Sequence, residues 1–154
     1  MKTILATTAT ALVLSAGVFS PAVANEAAIK ARQSLMQLYA FNLGQLGAMA
    51  KGTMEYDSGA AQAAADNLLA AASMNQMAMW PEGSDNVAMA GKTAALPEIW
   101  TTFPKITESS QALVAAAESM ASVAGNDLDS LRGAMGEIGK SCGGCHKSFR
   151  ASND

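Results

Sequence analysis

Residues 140 to 149 read KSCGGCHKSF, and this stretch contains both cysteines and the single histidine of the chain. Two thiols three residues apart, followed at once by an imidazole, form C-x-x-C-H, the attachment sequence for c-type haem. The spacing suits that chemistry. Cys142 and Cys145 can each add to one of the two vinyl groups on a porphyrin edge, forming two thioether bonds. His146 lies four residues after Cys142, on the same face of a helix, and can present a ring nitrogen to the iron as its proximal ligand. Gly143 and Gly144 are small enough not to obstruct the ring. Competing chemistries fit less well. A structural zinc site needs about four protein ligands, and this cluster has three. A redox dithiol of the thioredoxin kind sits beside a βαβ pattern, which is absent. A plain pair of core cysteines does not call for the histidine. Closure of a four-residue loop by a disulfide would stabilise little, because the gain grows with loop length. The expected cofactor is one covalent haem c with its iron.

Such a motif must be held by helices, and the rest of the chain supplies four helical stretches. The first is expected from about Glu26 to Lys51, ending at Gly52, with Lys51 placed where a cation suits the helix dipole. The second begins at Asp57 or Ser58, either able to cap, and runs through AAQAAADNLLAAASMNQMAM until Trp80-Pro81. The third covers Phe103 to Ala124, and the fourth runs from a cap at Asn126 or Asp127 to about Ala151. Between the second and third lies a long connection, Trp80 to Pro97, rich in Gly, Pro, Asp and Asn. No strand pattern competes. Three-four spacing appears in Ile29, Gln33, Met36, Ala40, Leu43, Gly47 and Ala50 of the first helix. The fourth repeats it with Leu128, Leu131, Met135, Ile138, Cys142, Cys145 and Phe149, and the third with Ile106, Leu113, Ala117 and Met120. Sustained spacing of this kind marks helices packed at small angles, so the expected fold is all-α, an antiparallel up-down-up-down four-helix bundle. The Ala-rich run from Gly59 to Ala72 reads as an ordinary packed helix.

Ahead of the bundle, residues 1–24 have the layout of a cleaved secretory signal peptide: Lys2, the apolar run ILATTATALVLSAGVF, and Ala22-Val23-Ala24 at the cleavage positions. That run is shorter than the ~20 residues a bilayer span needs and is interrupted by polar residues. Cleavage after Ala24 leaves residues 25–154 as one haem-binding domain, exported to the periplasm, with no further membrane span. From Asn25 onward nine Lys and Arg face thirteen Asp and Glu, a formal charge of −4. That balance disfavours a nucleic-acid partner.

Haem attachment at the C-terminal end of a four-helix bundle resembles the class II cytochromes c, the family of cytochrome c′ and its low-spin relatives called cytochrome c-556. The resemblance covers residues 26 to 151. It is carried by ARQSLM at 31 to 36, LGAMAKG at 46 to 52, PEIW at 97 to 100 and, most specifically, LRGAMGEIGKSCGGCHKSFR at 131 to 150. In high-spin members the position four residues after the arginine of the RQ pair carries a non-ligating side chain, commonly Leu. Here it is Met36, as in the low-spin members, and the resemblance implies that its sulfur is the distal iron ligand. Counting ~1.5 Å per residue, Met36 and His146 differ in level by about 7 Å before any stagger of the helix ends. The alternative role for Met36 is core filler, as for most methionines.

The resemblance also implies that Arg32 and Gln33 lie near the haem propionates, where Arg32 can donate charge-assisted hydrogen bonds; the alternative is a solvated helix face. Arg150 matches a family arginine near the proximal haem face. Phe149 is expected to pack against the porphyrin, with an ordinary core role as the alternative. Lys140, Lys147 and Arg150 form a basic rim, either solvated surface or a guide for an acidic redox protein.

With both axial positions filled, His/Met haem favours outer-sphere electron transfer, and the expected function is a periplasmic one-electron carrier, not an enzyme. The alternative is a five-coordinate high-spin cytochrome c′ that binds nitric oxide or carbon monoxide. Family members commonly form homodimers through the first two helices, and Tyr39, Leu38 and Leu46 are candidates for such an interface.

Overall fold

The computed structural model describes residues 21–152. Residues 1–20, most of the expected signal peptide, lie outside the described residues. Five α-helices follow: α1 (Pro21–Lys51), α2 (Ser58–Ala72), the short α3 (Glu98–Thr101), α4 (Phe103–Val123) and α5 (Leu128–Phe149), with a 3-10 turn at Met77–Met79. Among the described residues the only β pairing is one isolated antiparallel bridge, Ala95 to Arg150.

Local chemistry sets the helix ends. α1 stops in a Schellman motif in which Gly52, at φ 73°, donates to Met49 O at 3.0 Å and Thr53 donates to Ala48 O at 3.0 Å. Asp57 caps α2 by accepting from the Ala60 N–H at 2.7 Å, and Asp127 caps α5 by accepting from the Ser130 N–H at 2.8 Å. The expected second helix was too long. It ends at Ala72, with Ser73 as its cap, and the Asn75 carboxamide then accepts the Met77 N–H at 3.1 Å and starts a tighter turn. Between the expected connection, which ended at Pro97, and the expected third helix, Glu98–Thr101 forms the short α3.

The four long helices form a ring in which α1 adjoins α2, α2 adjoins α4, α4 adjoins α5 and α5 adjoins α1. Each neighbouring pair is antiparallel. Ser58 donates to Gly125 O at 2.7 Å and Gln62 to Ala121 O at 2.8 Å, so the start of α2 lies beside the end of α4. Arg132 Nε donates to Ala50 O at 2.8 Å, so the start of α5 lies beside the end of α1. This is the expected up-down-up-down bundle. Its core is built from Leu46, Leu68, Met120, Leu131 and Ile138, all almost fully buried, with a stripe of buried alanines on α2 (Ala61, Ala64, Ala65, Ala71 and Ala72) that brings α2 close to its neighbours.

The α5 seam has the expected register. The α1 register differs by one residue: Ala28, Ile29, Arg32, Leu35, Tyr39, Asn42, Leu46 and Met49 are buried, whereas Gln33, Met36 and Ala40 are exposed. Tyr39 and Leu46 therefore belong to the core and not to a subunit interface. On that side of α1 the exposed apolar side chains are Leu38 and Phe41.

Candidate haem site

α5 carries the three residues of the attachment motif on adjoining turns. Cys142 and Cys145 are free thiols, each partly buried. Cys142 packs on the main core, and Cys145 on a small second cluster formed by Ala95, Ile99 and Phe149. Burial pushes both thiols above the ordinary range, and for Cys145 the neighbouring Cys142 adds to the effect. His146 is exposed, and its imidazole has no hydrogen-bond partner among the described residues. Partial burial, and secondarily the charge of Arg150, lower its pKa, which favours the neutral, ligand-competent imidazole.

These donors suit a porphyrin edge and not a single small ion. Among the described residues no group of three His, Cys, Asp or Glu converges to hold a metal by itself. The two thiols and the imidazole instead lie along one side of α5, three and four residues apart, with the exposed Gly143 and Gly144 between them adding no side-chain bulk. Two free thiols three residues apart could each add to a vinyl group of one porphyrin edge, and the imidazole one residue further could donate a nitrogen to its iron.

α1 supplies the facing wall. A Cβ built on Gly47 would lie 3.7 Å from Met135 Cε, and Ala50 O meets Arg132 one turn further along. Gly47 and Ala50 thus lie on the α1 stripe that faces α5, and three-four steps back along that stripe lead through Leu43 and Ala40 to Met36. The antiparallel register set by Gly47 opposite Met135 and Ala50 opposite Arg132 runs on toward the other end and puts Tyr39 at about the level of Gly143. One further turn brings Met36 level with His146, removing the offset that counting from helix ends had suggested. Met36 is 37% exposed and takes no part in the core.

Other residues singled out in the sequence have different surroundings. Arg32 is 3% exposed, so it is not on a solvated face. Its guanidinium donates from Nη1 to Met79 O at 3.2 Å and to Ser84 Oγ at 2.7 Å, and from Nη2 to Ser84 O and to Thr93 Oγ1 at 3.0 Å. All four terminal N–H groups are thereby committed to the segment after α2, leaving only Nε–H for any propionate. Gln33 is exposed and donates to Lys92 O at 2.9 Å. Phe149 is buried with Ala95 and Ile99, and Cys145 packs on the same cluster. Arg150 is exposed, and its backbone N–H donates to His146 O at 3.1 Å. Lys140 and Lys147 are exposed as well.

Sequence reading overlooked Trp80. The Arg32 guanidinium carbon lies 4.7 Å from the centre of its ring, its carbonyl accepts from Trp100 Nε1 at 3.0 Å, and the two indoles sit 6.4 Å apart. An isolated Trp-Pro pair at the head of a polar loop was its only signal.

The chain is similar to known haem proteins over most of its length. The family model described as Cytochrome C′ matches residues 27–150. Cytochrome c-554 of Cereibacter sphaeroides is 42% identical over 125 residues, covering 81% of this chain and 93% of that protein. Cytochrome c′ of Allochromatium vinosum is 30% identical over 156 residues, covering 98% and 99% respectively. The solved structure of cytochrome c′ from Rhodobacter Spheriodes superimposes with a TM-score of 0.81 at 31% identity, covering 84% of this chain and 98% of that one.

Proposed function

The chain belongs to the cytochrome c′ family, whose members carry covalently attached haem c, and from that premise we propose that it is a periplasmic one-electron carrier of the low-spin cytochrome c-556 type. When bound, haem c supplies a ferric/ferrous couple that exchanges one electron without bond making or breaking. Cys142 and Cys145 would hold it through thioethers, with His146 donating a nitrogen and Met36 a sulfur to the iron. A thioether donor such as Met36 would favour the ferrous state, and a donor from each helix would leave the chain little to rearrange as the electron comes and goes.

The observation that carries this reading is the position of Met36. It lies on the α1 stripe facing α5, level with His146, and the core makes no use of it. The family role is electron transfer or gas binding. A methionine at this position favours electron transfer, because it denies small molecules a free axial position. Exposed Lys140, Lys147 and Arg150 give the His146 end of α5 a basic rim suited to an acidic redox protein.

The optical spectrum of the purified ferric protein tests the reading. A low-spin spectrum is expected. A high-spin spectrum would replace it with the five-coordinate cytochrome c′ that binds nitric oxide or carbon monoxide.

A further inference from the structure

A distal ligand on one helix and an attachment site on another must be held at a fixed separation, yet the hydrogen bond joining α1 directly to α5 lies at the wrong end for this. Arg132 meets Ala50, fourteen residues from Met36 and therefore about 21 Å along the helix. At the level of Met36 and His146 the two helices are joined by a third party, the segment between α2 and α3.

That segment grips α1 through Arg32, one turn before Met36. Two of the guanidinium's acceptors belong to Ser84, which is fully buried, and another is Thr93 Oγ1. Trp80 lies against the guanidinium face. Gln33 and Asn25 add bonds to Lys92 O at 2.9 Å and Gly83 O at 3.0 Å. From the residue after Thr93 onward, the same segment pairs with the end of α5 and the two residues that follow it. Leu96 donates to Phe149 O at 3.0 Å, Ala151 donates to Ala94 O at 2.8 Å, and Ala95 bridges Arg150. A continuous path of hydrogen bonds thus runs from the α1 turn bearing Met36, through the loop, to the α5 turn that follows His146.

Arg32 suits this task because it is buried without a direct carboxylate partner. A guanidinium removed from water is costly unless its donors are met, and here loop oxygens and an indole face meet them. Loop and arginine therefore hold each other in place.

We propose that Arg32 is a positioning residue, clasping the 80–97 loop so that Met36 is kept within reach of the iron held by α5. This rests on the assignment of Met36 as the distal ligand. The test uses the haem-loaded protein and two variants. Arg32→Met removes all four bonds at similar side-chain length, and the double variant Ser84→Ala/Thr93→Val leaves the arginine but deletes two hydroxyl acceptors. Three readouts are taken: the high-spin fraction of the ferric spectrum, the rate of carbon monoxide binding to the ferrous protein, and protease cutting between residues 82 and 92.

Arg32→Met is expected to give a mixed-spin spectrum, carbon monoxide binding at least about tenfold faster, and new cuts in the loop. The double variant is expected to shift in the same directions by less. A loop that opens to protease while spin state and carbon monoxide rate stay at wild-type values overturns the positioning role. If Arg32→Met does not fold, the double variant decides by the same criteria. A wild-type protein that is high-spin from the outset overturns the ligation itself, and the clasp's role with it, whereas a low-spin wild type with unresponsive variants overturns the clasp alone.

Discussion

Cys142 and Cys145 are equivalent in the motif but not in their surroundings, since Cys142 rests on the main core and Cys145 on the small cluster with Phe149. Each is expected to form its own thioether. Cys142→Ala or Cys145→Ala alone should leave haem covalently attached through the other thiol, and the double variant should release it all. Acidic solvent extraction, which strips only non-covalent haem, reads this directly; loss of all attachment in either single variant would contradict it. The motif was legible because its chemistry is local, five consecutive positions on one helical flank. Arg32 was not. Its partners Ser84 and Thr93 lie 52 and 61 residues away in a loop whose polar composition says nothing about what it folds onto. A bidentate donor on an amphipathic helix is equally consistent with a propionate, a carboxylate or a carbonyl until the chain's path is known.

At the level of elements, α5 could be read in register from the sequence and α1 could not, for a reason visible in side-chain sizes. On α5 the large residues Leu131, Ile138 and Phe149 are followed by Arg132, Gly139 and Arg150, so only one stripe can be buried. On α1 apolar residues come in adjacent pairs, Leu35-Met36, Leu46-Gly47 and Met49-Ala50, which describe two stripes one residue apart. One stripe fills the core and the other faces α5, and periodicity alone cannot rank them. Helix starts were easier, because a cap is a local signal. Asp127 is the clearest case: hydrogen bonds from the backbone and side chain of Ser130 hold its carboxylate below the usual range. A lowered folded pKa means the stabilisation is fully present above the unfolded value near 3.8 and is lost as pH falls through the folded one. Asp127→Asn keeps a capping oxygen without a titrating group. Its thermal midpoint should therefore fall less steeply than that of the wild type from about pH 4 downward. Parallel pH profiles for the two proteins would contradict the assignment.

On the scale of the whole molecule, one core closed by four helices carries the stability, and a loop crossing one end joins the two helices that matter for chemistry. Leu131 lies in that core at 0% exposure, on the helix bearing the motif but well away from it. Leu131→Ala should cost about 2–5 kcal/mol in chemical unfolding while leaving the haem spectrum unchanged, which separates support of the bundle from support of the site. A spectral change accompanying that loss would mean that core and site are not separable. The bundle as a whole was legible because cap residues and Ala-rich or Leu-bearing faces recur at helical spacing. The 80–97 loop was not, because its order comes from contacts with both ends of the chain. The account turns on Met36, where residue, element and fold meet. The most direct test compares ferric optical and electron paramagnetic resonance spectra of the wild type and Met36→Ala. A low-spin wild type that becomes high-spin or water-ligated on substitution is the expected result, and a low-spin spectrum unchanged by Met36→Ala would contradict it.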